Sequence, residues 1–163
     1  MNHFELDEDL QEGQYIHRSP IKEVEQESVL PALFGSDQLR YETHMAQWLD
    51  VLTRRVLEIG YNGGNWTYFR LTNEGIYRCV TYPTYLTVWG STDDYCSVFS
   101  SDAACVIANV FALADLAAQS PAGPFTRLHA ALLEYAQQHP ERIKILYFLN
   151  MPLPAGFGPQ MPI

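Results

Sequence analysis

One segment governs what this chain can become. From Ala103 to Ala118 the residues are apolar almost all the way round a helix, interrupted mainly by Asn109 and Asp115. A helix without a polar face has to be enclosed by the rest of the fold. Ser100 or Ser101 can cap its start, and Asp102 in the first turn suits the positive end of the helix macrodipole. With 163 residues the chain is expected to form one domain, burying roughly 70% of its unfolded surface. That is enough to surround such a helix without disulfides or a metal.

The flanking sequence supplies the cover. Met45, Trp48, Leu49, Leu52, Val56 and Ile59 share one helical face, and Gly60 is a natural stop. Residues 65–71 and 76–80 are rich in aromatic and β-branched types around the turn residues Thr72-Asn73-Glu74-Gly75, which predicts a hairpin. Residues 85–89 and 95–99 make two more strand candidates around Gly90-Ser91-Thr92-Asp93-Asp94. After the breaker Ser120-Pro121-Ala122-Gly123-Pro124, the spacing of Phe125, Leu128, Leu132 and Tyr135 predicts an amphipathic helix, and His139-Pro140-Glu141 opens a short last one. The expected fold is α+β: a single domain in which a small antiparallel β-meander packs against a buried central helix and flanking helices.

Charge divides the chain unevenly. The net charge is −9, and residues 1–27 carry eight acids against Arg18 and Lys22. Residues 1–28 are therefore expected to be an acidic, flexible extension, 29–150 the folded domain and 151–163 a Pro-rich tail. The nearly balanced remainder has no basic stripe for phosphates, which argues against direct nucleic-acid binding. The longest uncharged stretch, from Ile145 onward, holds Pro152, Pro154, Pro159 and Pro162 and cannot be a membrane helix. The acidic start lacks the features of a secretory signal, and Cys79, Cys96 and Cys105 read as reduced, buried thiols. A cytoplasmic location is expected.

No constellation for catalysis emerges. Cys105 lies inside the apolar helix pattern, no nucleophile elbow is present, and His44, His129 and His139 read as surface histidines. The five histidines lack metal-binding spacing. Tyr61-Asn62-Gly63-Gly64-Asn65-Trp66 is Gly-rich, but it leads into a strand and carries no phosphate-loop lysine; it reads as a tight turn needing positive φ at Asn62, Gly63 or Gly64. Catalytic, cofactor-binding and metal-binding residues are all expected to be absent.

Three segments together resemble a known family. Tyr61-Asn62-Gly63-Gly64-Asn65-Trp66 followed by Leu71-Thr72-Asn73-Glu74-Gly75-Ile76-Tyr77 is similar to the pattern YNGGxW…LSNGGFY of the antirestriction proteins typified by ArdB and KlcA. Ser100-Ser101-Asp102-Ala103-Ala104 resembles the family's SADAA, and His139-Pro140-Glu141 its HPE. Order and spacing agree from Val29 to Asn150. Glu74 departs from the pattern, standing where the family has the first Gly of a pair, and Arg78-Cys79 replaces a Met-Ala-Pro-like stretch.

The resemblance implies a non-enzymatic protein of plasmids and genomic islands that relieves type I restriction. Its partner would be a protein, the restriction enzyme or an associated DNA-processing factor, with no direct contact to nucleic acid or membrane. Tyr61, Asn62, Gly63, Gly64, Trp66, Asn73, Asp102, His139 and Glu141 are the motif positions expected at a partner surface. An acidic DNA mimic and a small hydrolase are the alternatives; the sparse acids of residues 28–163 disfavour the first.

Overall fold

The computed structural model describes residues 15–54, 66–90, 96–151 and 158–159. A short strand β1 (Arg18–Pro20) leads into α1 (Glu23–Phe34), and one 3-10 turn (Gly35–Asp37) redirects the chain into α2 (Gln38–Thr53). Four strands follow, β2 (Trp66–Leu71), β3 (Ile76–Val80), β4 (Tyr85–Trp89) and β5 (Cys96–Ser100). Helices α3 (Ser101–Gln119), α4 (Phe125–Ala136) and α5 (Arg142–Leu149) complete the order. The class is α+β, as the hydrophobic patterning predicts.

The apolar helix is α3, and it runs through the centre, packed by α2, α4 and β3. Ala103 to Ala108, Ala112, Leu113 and Leu116 are fully buried. Each buried Ile or Leu on it contributes about 1.5–3 kcal/mol. By length and composition alone α3 could cross a membrane, but most of it is buried within the fold. Its two polar interruptions are met by neighbours. Asn109 Nδ2 donates to Arg78 O at 2.9 Å and Cys105 O at 2.7 Å, while its Oδ1 accepts from the Tyr41 hydroxyl. Asp115 Oδ2 accepts from Trp48 Nε1 at 2.8 Å and lies 2.8 Å from His44 Nε2.

The strands depart from one meander. β1, β2 and β3 form an antiparallel sheet with Arg18 opposite Leu71 and Trp66 opposite Val80, whereas β4 and β5 pair separately, Tyr85 opposite Ser100. Between the sheets the chain is tied to the start of α3: Thr84 O accepts from Ser101 N at 2.9 Å and Pro83 O from the Ser101 hydroxyl. Those carbonyls are spent on a helix end.

The expected boundary at residue 28 also fails, because it falls within α1. Residues 18–20 complete the first sheet, and Ile21 is buried and donates its N–H to Tyr68 O at 2.8 Å. Acidity misled here: Glu23, Glu27 and Ser28 face solvent while Leu30 and Phe34 enter the core. Helix α2 ends at Thr53, short of the expected Ile59, with Arg54 in the left-handed conformation and its N–H on Asp50 O and Val51 O. Gly60, Val56 and Ile59 lie outside the described residues, as do Asp93 and Asp94. Cys96 is exposed, unlike Cys79 and Cys105, because its strand position faces outward. His44 and His139 are buried rather than on the surface. In the Pro-rich tail, Gly158 has φ 102° and lies so close to α2 that a Cβ there would stand 2.5 Å from Trp48 Cη2.

The β2–β3 turn carries two backbone constraints. Glu74 has φ 70°, a left-handed conformation that costs an L-residue roughly 1–2 kcal/mol. Next to it, a Cβ on Gly75 would stand 2.9 Å from Leu71 Cδ1 and 3.0 Å from Ala131 Cβ. Two opposite outcomes are expected in chemical denaturation: Glu74→Gly raises the unfolding free energy by about 0.5–1 kcal/mol, while Gly75→Val lowers it by about 1–3 kcal/mol through overpacking.

Candidate functional site

All three motif segments converge on one carboxylate. Ser100 caps α3, its hydroxyl oxygen accepting from Ala103 N at 3.1 Å, and this places Asp102 in the first turn beside β1 and β3. Asp102 Oδ1 accepts from Arg18 Nη1 at 2.8 Å and the Tyr77 hydroxyl at 2.6 Å. Asp102 Oδ2 is 2.8 Å from Nε2 of His139, on the turn between α4 and α5. Glu141 closes the ring from the same turn, accepting from Ser100 N at 3.0 Å and from the Ser100 hydroxyl. Asp102, His139 and Glu141, expected from the sequence as motif positions, thus form one network.

The hydrogen bonds fix its chemistry. His139 Nδ1 accepts from the backbone N–H of Glu141 at 3.0 Å, so the ring proton sits on Nε2 and is donated to Asp102. Both ring nitrogens are engaged within the fold. Burial opposes ionisation of Asp102, but hydrogen bonds from His139 and Tyr77 and the charge of Arg18 prevail and hold its carboxyl below the usual carboxylate range. Burial also disfavours the Arg18 charge, but Asp102 together with Tyr77 and Tyr135 more than offsets it and raises the Arg18 pKa. The Tyr77 hydroxyl is pushed up by burial and then by Asp102. Beside the network opens a cleft of about 270 Å³, lined by Arg18, Phe69, Thr81, Thr84, Ser100 and Asp102 among others.

The other motif residues stand apart. Asn73 braces the β2–β3 turn, donating to Ala131 O at 2.9 Å and accepting from Gly75 N at 3.2 Å. Trp66 begins β2 at the opposite end of the hairpin, with the Arg78 guanidinium 4.0 Å above its ring. Tyr61, Asn62, Gly63 and Gly64 lie outside the described residues. Arg18, on Asp102, escapes sequence reasoning, because it sits in an acidic stretch read as an extension. Tyr77 closes the first motif segment, but its place on Asp102 is visible only in the fold. Cys79 and Cys105 are adjacent in the core, where their mutual contact and then burial push the Cys79 thiol up. Among the described residues no group of three His, Cys, Asp or Glu side chains could hold a metal.

This α+β fold has counterparts among known proteins. The family model described as antirestriction protein matches residues 59–150, and the chain belongs to that family. The antirestriction protein KlcA of Escherichia coli is 29% identical over 139 residues, covering 82% of this chain and 94% of the relative. The uncharacterized protein YafX of Escherichia coli strain K12 is 27% identical over 137 residues, covering 81% and 86%. A solved structure superposes with a TM-score of 0.72 at 26% identity, covering 89% of this chain and all of the other. It belongs to work on KlcA and ArdB proteins that describes a novel fold and antirestriction activity against type I DNA restriction systems in vivo but not in vitro.

Asp102 should dominate the acid stability of this fold. Its folded pKa is depressed, so its contribution is fully present above the unfolded carboxyl value of about 3.9 and is lost as pH falls through the lower folded value. Asp102→Ala leaves Arg18, Tyr77 and His139 without their shared acceptor and should cost about 3–5 kcal/mol. Denaturant titrations of both proteins between neutral and strongly acid pH should show the difference shrinking below about pH 4.

Proposed function

We propose that this protein relieves type I restriction of incoming unmodified DNA by acting on a protein partner or indirectly, without catalysis and without imitating DNA. The partner is the restriction enzyme or an associated DNA-processing factor. The disposition of the acids carries the mechanistic part. Asp102 faces Arg18, Tyr77 and His139; Asp115 faces His44 and Trp48; Glu42 takes the Tyr68 hydroxyl; Glu141 takes Ser100; Asp37 pairs with Arg40. Carboxylates engaged by donors of the fold are less available as a phosphate-like row on its surface. The activity of the KlcA and ArdB proteins in vivo but not in vitro supports an indirect route, and the engaged nitrogens of His139 support a role other than hydrolysis. The motif positions Asp102, His139 and Glu141 organise the cleft beside Arg18 as part of the partner surface, with Tyr61, Asn62, Gly63, Gly64, Trp66 and Asn73 as its further positions.

Expression in a host with an active type I system should raise the plating of unmodified phage while host DNA stays modified. Changing the exposed Glu23, Glu27, Glu74 and Glu134 to Gln should leave that protection intact. Loss of protection in this quadruple variant, with its fold preserved by circular dichroism, would return DNA mimicry as the mechanism; full restriction of phage by every type I host tried would refute the function itself.

A further inference from the structure

Arg78 of β3 is a buried cation that makes no side-chain hydrogen bond among the described residues. Its side chain is 11% exposed, its guanidinium stands 4.0 Å from the Trp66 ring centre and 5.7 Å from that of Tyr68, and its Nε is buried without an acceptor. The backbone holds it in place, since Arg78 N donates to the Tyr41 hydroxyl at 3.1 Å and Arg78 O accepts from Asn109. The facing carboxylate oxygen, Glu42 Oε1, is 3.8 Å from Arg78 Nη1, within reach of charge attraction but beyond a hydrogen bond. Glu42 spends its other oxygen on the Tyr68 hydroxyl and on Gln38 Nε2. Buried polar groups are nearly always paired, and a contact this long between two of them asks for a third group in the gap.

A cleft of about 150 Å³ leads to that gap, lined by Leu39, Glu42, Thr43, Ala46, Trp66 and Arg78. One cation and one anion face it, so the group that fits is neutral, with an acceptor toward Arg78 and a donor toward Glu42 on the same edge. A primary carboxamide has this edge: bonds of about 1.23 and 1.33 Å to one carbon put its oxygen and nitrogen about 2.2 Å apart. Two slightly diverging hydrogen bonds of about 2.9 Å from it span the separation between Nη1 and Oε1. A trans peptide unit directs its C=O and N–H to opposite sides and cannot bridge them. A carboxylate supplies no donor and sets a second anion beside Glu42. Leu39, Ala46 and Trp66 offer apolar walls for a short aliphatic stem.

We propose that this cleft binds a primary carboxamide, the side chain of an Asn or Gln displayed by a protein partner. The proposal rests on the geometry of Glu42, Trp66 and Arg78 and stands or falls apart from restriction relief. Propionamide is the probe, titrated into the full chain and followed by NMR through the Arg78 Nε–H and Trp66 indole N–H signals, with N-methylacetamide and acetate as parallel titrants. A saturable shift with propionamide alone is expected. The Trp66 response should vanish in Arg78→Lys, whose ammonium lacks the planar fork, and weaken several-fold in Glu42→Gln, which remains informative if Arg78→Lys does not fold. Saturation by acetate or N-methylacetamide as well, no saturation by propionamide, or an undiminished response in the folded variants would overturn the proposal.

Discussion

The fold depends on enclosing α3 without stranding the polar atoms it carries. An apolar helix gains from being covered on every side, but Asp102, Asn109 and Asp115 each cost several kcal/mol if buried without partners. Each therefore selects its neighbour. Asn109 brings Tyr41 of α2 and the backbone of β3 to one point; Asp115 brings His44 and Trp48 of α2 to the far end; Asp102 draws in β1, β3 and the α4–α5 turn. Hydrophobic burial supplies most of the stabilisation, while these three side chains decide the register in which the elements meet.

The same economy connects structure to function. Asp102 anchors a helix start, two strands and a turn, and Glu42, Asp115, Glu141 and Asp37 are each engaged by donors of the fold. The protein is acidic overall, yet several acids of its described residues are paired with donors of the fold. The surface beside Asp102 is consequently one of shape, with Arg18, Phe69 and Thr84 on a rigid frame. Such a surface suits recognition of a protein better than imitation of a polyanion.

Glu42 and Arg78 show the other way a buried charge pair can be arranged. Around Asp102 every strong donor finds its acceptor at 2.6–2.8 Å, whereas Arg78 and Glu42 face each other at 3.8 Å. The first arrangement is closed and stabilises the fold. The second leaves directional capacity unspent at the mouth of a cleft, where a ligand can use it.

Much of this protein was legible in its residues. An apolar run of helical length has one physical solution, so the central position of α3 followed from its pattern, as did a cap at Ser100 or Ser101 and the β2–β3 hairpin with its turn at 72–75. The family resemblance also marked Asp102, His139 and Glu141, though as separate motif positions. What the sequence hid was every feature that depends on distant neighbours. The acids of residues 23–27 look like a solvated extension until Leu30 and Phe34 are seen entering the core. The break between the two sheets depends on Thr84 O and Pro83 O being claimed by Ser101. Whether His139 is a surface base or a buried donor depends on Asp102, 37 positions away. Periodicity and propensity are properties of neighbouring residues and can be read along the chain; burial, partnership and charge balance are properties of positions in space, and only the folded tertiary structure decides them.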